Sequence, residues 1–190
     1  STYHTLQPTE TPFPFTDAPE SRWSYPYIKE LYDAGVVSGT SATTFEPTAN
    51  VTRAQFVTML AGLQGADVSA YTTGKFADVP AEAWYAPYVN WAAENGVVYG
   101  ISDTEFAPDA EISRQDMATM LYRYAQQFGI QLGTGNPAIT ITDEADIADY
   151  ALPAVEALQR AGVISGMPDG SFRPRDTATR EQACVMLCLL

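Results

Sequence analysis

The chain of 190 residues holds a single histidine, His4, in a stretch of threonine and proline. One imidazole leaves no Ser-His-Asp triad, no histidine general base and no histidine-containing zinc cluster. The two cysteines, Cys184 and Cys188, stand four apart in an apolar run. A helix places both on one face, which favours buried free thiols over a disulfide framework and leaves the redox compartment open. Positive charge is scarce: ten Lys and Arg stand against twenty-three acids, a net charge of −13. Phosphate backbones and anionic headgroups are repelled at that balance, which argues against a nucleic-acid reader driven by counterion release and against a basic membrane-docking face. No run approaches the roughly 20 apolar residues of a membrane span, and the start lacks a basic segment followed by an apolar one. If the protein is exported, its signal is expected outside this sequence.

What the chain does have is repetition, which decides the fold before any single residue does. Gly-Val-Val-Ser-Gly at 35–39 returns as Gly-Val-Val-Tyr-Gly at 96–100 and as Gly-Val-Ile-Ser-Gly at 162–166, offsets of 61 and then 66 residues. The same register carries Phe45 and Pro47 onto Phe106 and Pro108, then Phe172 and Pro174. It carries Thr52-Arg53 onto Ser113-Arg114 and Thr179-Arg180. Upstream, Phe15 and Asp17 match Phe76 and Asp78, then Ile141 and Asp143; Trp23 and Pro26 match Trp84 and Pro87, then Tyr150 and Pro153.

Each copy reads as two helices around a structured loop. Pro26 suits an initial helical turn, Ile28, Leu31 and Tyr32 follow at helical spacing, and Gly35 offers a left-handed cap. After the loop Thr52 and Gln55 form a capping-box pair, repeated by Thr179 and Gln182 and, in a shorter version, by Ser113 and Asp116. The second helix then carries Phe56, Met59, Leu60 and Leu63, matched by Met117, Met120, Leu121 and Tyr124 and by Ala183, Met186, Leu187 and Leu190. A stripe of that period is core. Units of this size bury too little surface alone, so the expected product is one all-α, pseudo-threefold body in which the three stripes meet at a common axis. The expected division is a leader at 1–14, repeats at 15–63, 76–128 and 141–190, and spacers at 64–75 and 129–140.

Arg53, Arg114 and Arg180 each occupy the first helical position after the cap. The macrodipole disfavours a cation there by a few tenths of a kcal/mol up to about 1. Free N–H groups at a helix start together with a guanidinium suit a carboxylate or phosphate, which makes these three the candidate anion ligands. The competing reading is that each Arg pairs with a carboxylate of a neighbouring copy, such as Asp17, Asp78 or Asp143, and only locks the three copies together.

These motifs together resemble the S-layer homology (SLH) domain pattern of Phe-x-Asp, Trp, Gly-(Ile/Val)-(Ile/Val)-x-Gly, Phe-x-Pro and Thr-Arg-Ala-Glu, present three times. The resemblance implies a three-pronged spindle around a central three-helix bundle that is non-catalytic, extracellular and anchors exported proteins to the wall of Gram-positive-type bacteria. It implies binding of secondary cell-wall polysaccharide, often through a pyruvylated N-acetylmannosamine, with Arg53, Arg114 and Arg180 as contacts. The motif's Glu is replaced by Gln55, Asp116 and Gln182. Glu181 beside Arg180 adds negative charge where an anion would sit, and Tyr150 for Trp and Ile141 for Phe make the third copy the most divergent, so the clefts are expected to be unequal with the Arg180 cleft the weakest.

Further candidate contacts surround the arginines. Gly39, Gly100 and Gly166 mark a tight turn or a close approach to ligand. Ser38 and Ser165 offer hydroxyls to a sugar, whereas Tyr99 shapes its cleft differently. Trp23, Trp84 and their counterpart Tyr150 offer ring faces, although the two Trp are expected chiefly to plug the first helix against the core. Asp17 and Asp78 are expected as turn residues before ligand contacts. The carboxylates Asp143, Glu144, Asp146 and Asp149 read as an acidic approach to a helix start rather than a glycosidase pair. Gly133-Thr-Gly135 lacks the strand context of a phosphate loop. No enzyme, cofactor or metal is expected. The partners expected are an anionic wall polysaccharide and a fused cargo domain, with the chain itself a monomer. A protein-interaction or self-assembly module with structural arginines is the alternative.

Overall fold

The computed structural model describes residues 12–190; His4 and residues 1–11 of the expected leader lie outside the described residues. Six α-helices follow one another as α1 (Tyr25–Asp33), α2 (Arg53–Gln64), α3 (Ala86–Glu94), α4 (Arg114–Gln127), α5 (Leu152–Arg160) and α6 (Arg180–Leu189). Among the described residues no strand forms and no helix is long and apolar enough to cross a membrane. Each repeat contributes one odd-numbered and one even-numbered helix.

The local signals act as the chemistry requires. Proline stands in the first turn of α1, α3 and α5, where its missing N–H has no helical partner to lose. Gly35, Gly96 and Gly162 take left-handed φ of 76, 74 and 79° after these helices. The amides that follow fold back, Val36 to the Leu31 carbonyl, Val97 to Ala92 and Val163 to Leu158, which closes a Schellman cap at each end. Thr52–Gln55 and Thr179–Gln182 are complete capping boxes; Ser113 caps α4 in one direction only.

Helix packing crosses from repeat to repeat. α3 lies against α2, α5 against α4, and α1 against α6, so the first helix of each repeat packs on the second helix of the repeat before it. The last of these pairs closes the ring. α2 also meets α4 and α6, and Phe56, Leu60, Met117 and Leu121 are fully buried at the centre. At the axis three equivalent residues form a cycle of backbone hydrogen bonds: Val51 N–H donates to the Ala178 carbonyl at 3.0 Å, Ala178 N–H to Ile112 at 3.1 Å, and Ile112 N–H to Val51 at 2.8 Å.

A second device repeats three times. Asp17 accepts from the amides of Phe45 and Glu46, Asp78 from Phe106 and Ala107, and Asp143 from Phe172 and Arg173, all at 2.8–2.9 Å. These bonds hold the middle residue of each Phe-x-Pro loop at a left-handed φ of 54 to 58°. For a residue with a Cβ that conformation costs roughly 1–2 kcal/mol, which two charge-assisted bonds offset. Phe13 packs edge-on against Phe15, Tyr25 and Tyr32 at the outer end of the first repeat.

Two predictions follow from this packing. Asp78→Ala strips the acceptor from two loop amides and should lower stability by about 2–4 kcal/mol in urea denaturation, with Asp78→Asn intermediate. Cys184 and Cys188 are both free, and burial pushes both thiols up from 9.0 to about 12. A thiol whose folded pKa exceeds its unfolded one contributes stability that is present below pH 9 and lost as pH rises toward 12. Melting temperature should fall across that window, the fall should be shallower in Cys184→Ala, and neither thiol should react promptly with a disulfide reagent at pH 8 in the folded state.

Candidate functional site

The three arginines of the repeats start α2, α4 and α6, and each reaches into the next repeat. Nε of Arg53 donates to the Phe106 carbonyl at 2.8 Å, Nε of Arg114 to Phe172 at 2.9 Å, and Nε of Arg180 to Phe45 at 2.8 Å. Each guanidinium also lies over the ring of the same Phe, 4.9, 5.0 and 4.4 Å from its centroid. The left-handed loop residue held by Asp17, Asp78 or Asp143 follows directly on that Phe.

The helix starts themselves are not open to an anion, contrary to the sequence expectation. Arg53 N–H donates to Ala110 and Ala54 N–H to Pro108; Arg114 and Gln115 donate to Asp176 and Pro174; Arg180 and Glu181 donate to Ala49 and Pro47. The third amide of each helix goes to the Thr52, Ser113 or Thr179 hydroxyl. Carbonyls of the next repeat thus neutralise the positive helix ends, which removes much of the electrostatic objection to a cation there. The asymmetric role falls to the guanidinium groups alone.

Those three groups are unequal. Arg53 is 5% exposed, and its Nη1 donates to Asp116 Oδ2 at 2.8 Å, while the Tyr150 hydroxyl donates to the other oxygen of Asp116. Burial lowers the Arg53 pKa and Asp116 acts against that shift. Burial and the Asp116 hydrogen bond push Tyr150 up to about 12. Arg114 and Arg180 are half-buried, and among the described residues no carboxylate pairs with either. Arg180 adds a bond from Nη2 to the Ser38 carbonyl at 2.9 Å. None of the three pairs with Asp17, Asp78 or Asp143; the competing reading of a carboxylate partner in a neighbouring copy holds for Arg53 with Asp116, while Arg114 and Arg180 make carbonyl and ring contacts instead.

Glu181 also differs from expectation. Its carboxylate is buried and turned to Arg22, in a two-pronged pair at 2.8 and 3.0 Å, and to the Ser24 hydroxyl at 2.7 Å. It staples the third repeat to the first, so its charge is met by Arg22 rather than set beside the Arg180 guanidinium.

Arg53 opens onto a cleft of about 330 Å3 whose walls come from all three repeats. The cleft is lined by Val98, Tyr99, Gly100 and Ile101 of the loop, by Asp116, Thr119, Met120 and Arg123 of α4, and by Tyr150 of the third repeat. Arg123 lies over the Tyr99 ring, 4.0 Å from its centroid. Sequence reasoning did not select Arg123; the only signal was that its register holds Gly62 and Leu189 in the other repeats.

The remaining candidates have clear placements. A Cβ at Gly39 would stand 2.3 Å from Phe15 Cε1, and one at Gly100 2.6 Å from the Glu105 carbonyl, so the loop's own packing demands glycine at both. Gly100 lines the cleft as well. Gly166 takes a φ of 76°, a conformation that glycine meets without strain. Ser38 and Ser165 are exposed. Asp17 and Asp78 have both carboxylate oxygens engaged by loop amides. Trp23 and Trp84 are 58% and 59% exposed, so they do not plug the first helix against the core; Ser24 and Tyr85, one residue on, are buried there instead.

The three repeats form a closed ring of helices with an arginine at every junction, and among the described residues no group of His, Cys, Asp and Glu side chains is able to hold a metal. The chain belongs to the S-layer homology domain family, whose profile matches residues 14–57, 75–118 and 140–184. It is 37% identical over 178 residues to an endoglucanase of Bacillus sp. (strain KSM-635), covering 94% of this chain and 19% of that protein. It is 31% identical over 150 residues to a cellulosome-anchoring protein of Acetivibrio thermocellus, covering 75% and 32%. It is 29% identical over 168 residues to the exoglucanase XynX of Acetivibrio thermocellus, covering 88% and 15%. The chain therefore spans less than a third of the length of each of these relatives.

Because Arg53 is the most enclosed arginine of the three and the one with a carboxylate partner, Arg53→Gln should destabilise by about 2–4 kcal/mol. Arg114→Gln should cost about 1–2 kcal/mol. Urea denaturation of the two variants beside wild type checks the order.

Proposed function

We propose that the chain is a non-catalytic module that anchors a larger exported protein to the bacterial cell wall, by binding secondary cell-wall polysaccharide in the clefts between its repeats. The saccharide is anionic, of the pyruvylated kind. The observation that carries this reading is that a strongly acidic protein presents three of its eight guanidinium groups at equivalent repeat junctions, two of the three without a carboxylate partner. The relatives support it: one is a cellulosome-anchoring protein and two are glucanases that share only this portion. Exposed Trp23 and Trp84 supply ring faces on which a sugar can stack.

The contacts from each Arg Nε to a neighbouring Phe carbonyl favour a second reading, in which the arginines serve the ring alone and the module binds protein or assembles with itself. Wall sacculi before and after acid extraction of the secondary polymer separate the two. The wild-type chain should sediment with native sacculi and not with stripped ones. The doubly substituted Arg114→Gln, Arg180→Gln protein, with an unchanged circular dichroism spectrum, should bind about tenfold or more weakly. Retention by stripped sacculi, or wild-type binding by the variant, overturns the polysaccharide reading. Attraction between an acidic protein and an anionic polymer rests on short-range donors, so binding should change by less than about tenfold between 0.05 and 0.5 M salt.

A further inference from the structure

The two cations of the Arg53 cleft are committed to different degrees. Arg53 gives Nε to the Phe106 carbonyl, Nη1 to Asp116 and one face to the Phe106 ring. Asp116 stands where Gln55 and Gln182 close their capping boxes. One methylene shorter, it makes no return bond to the Ser113 amide and turns to Arg53 and Tyr150 instead. Cation and anion cancel there. Arg123, about two turns beyond Asp116 on α4, is half-buried in the cleft. It lies over the Tyr99 ring and, among the described residues, makes no ion pair and no hydrogen bond, although the Asp116 carboxylate acts on its charge at longer range. A guanidinium over a ring carries its five N–H donors at its edge, where they remain able to meet an acceptor.

We propose that Arg123, on its Tyr99 shelf, is the residue that binds the anionic group of the saccharide in this cleft, and that Arg53, Asp116 and Tyr150 form a neutral wall against the uncharged part of the sugar. This assignment rests on the polysaccharide reading above. Two arginines and one aspartate give the cleft a charge of one, the complement of a single carboxylate. The junctions built on Arg114 and Arg180 have no cation at the position of Arg123, where Leu189 and Gly62 stand, and their own arginines lack a carboxylate partner. The three clefts therefore reach the same chemistry from different residues, and the Arg53 cleft does so from a position the repeat motif does not contain.

The test uses the full chain, titrated with the methyl glycoside of pyruvylated N-acetylmannosamine and with its pyruvate-free parent, and follows arginine Nε–Hε and tyrosine ring resonances. The Arg123 Nε–Hε and Tyr99 signals should move with the pyruvylated sugar, and the parent should bind about tenfold or more weakly. Arg123→Met should lower affinity read at the Tyr150 ring by about ten- to a hundredfold with the amide spectrum otherwise intact, and Arg123→Lys by less. Wild-type affinity in Arg123→Met, or movement at Arg114 and Arg180 with Arg123 silent, overturns the assignment while leaving the saccharide reading in place. Silence at all four arginines with the pyruvylated sugar removes both.

Discussion

Three buried amides donating head to tail around an axis are the constraint on which the rest of this protein depends. Val51, Ala178 and Ile112 occupy the residue before each helix cap, so their cycle fixes where the three even-numbered helices begin. From those starting points the amides of α2, α4 and α6 meet the carbonyls of the next repeat, and each arginine meets the next Phe-x-Pro loop. The odd-numbered helices obey the same rule, because each packs on the helix of the preceding repeat. No repeat completes its own core, and the α1 to α6 contact is the step that turns an open series into a closed body.

The same closure makes the clefts. A side chain at a helix start is close to the next repeat's loop, and the cleft beyond Arg53 gathers its walls from all three repeats. The residues that stabilise the ring therefore also line the cleft. Asp78 holds the loop, the loop presents the Phe106 carbonyl and ring, and Phe106 holds Arg53. Rigid backing of this sort limits the conformational entropy a guanidinium loses on meeting a ligand, which is how a small site gains affinity without a large contact area.

What the sequence revealed was what is encoded locally and three times over. Helices, Schellman glycines and capping boxes depend on residues within a turn of one another, and all are formed where the pattern placed them. The anion-seeking reading of the helix starts needed a fact that no local pattern contains, namely whose carbonyls face them. Partnership across repeats likewise decided Glu181, which meets Arg22 and Ser24 at the far end of the chain. The tryptophans were misplaced because a large apolar residue at a helix start reads as core; the buried positions belong to Ser24 and Tyr85. Comparison of repeats selects what they share, so it passes over Arg123, which only one of them has.

Shared and unshared features serve different ends here. The invariant arginines face carbonyls and rings that any repeat of this design supplies, so their first duty is to the ring. Individual character enters where copies diverge by small steps: Gln to Asp removes one methylene and redirects an acid from its own helix end to a neighbour's cation, and Gly to Arg places a second cation on the same helix. At a net charge of −13 the protein offers an anionic polymer no long-range attraction, and salt screens its charges beyond the Debye length of roughly 8–10 Å. Recognition is then left to contacts within that distance, where a partly desolvated guanidinium is strongest and where one added or neutralised charge changes the balance of a cleft. Three junctions that differ in their charges but are fixed in relation to one another are the arrangement through which, on the proposed reading, repeated units of one polymer would be held at more than one point and modest individual sites would suffice.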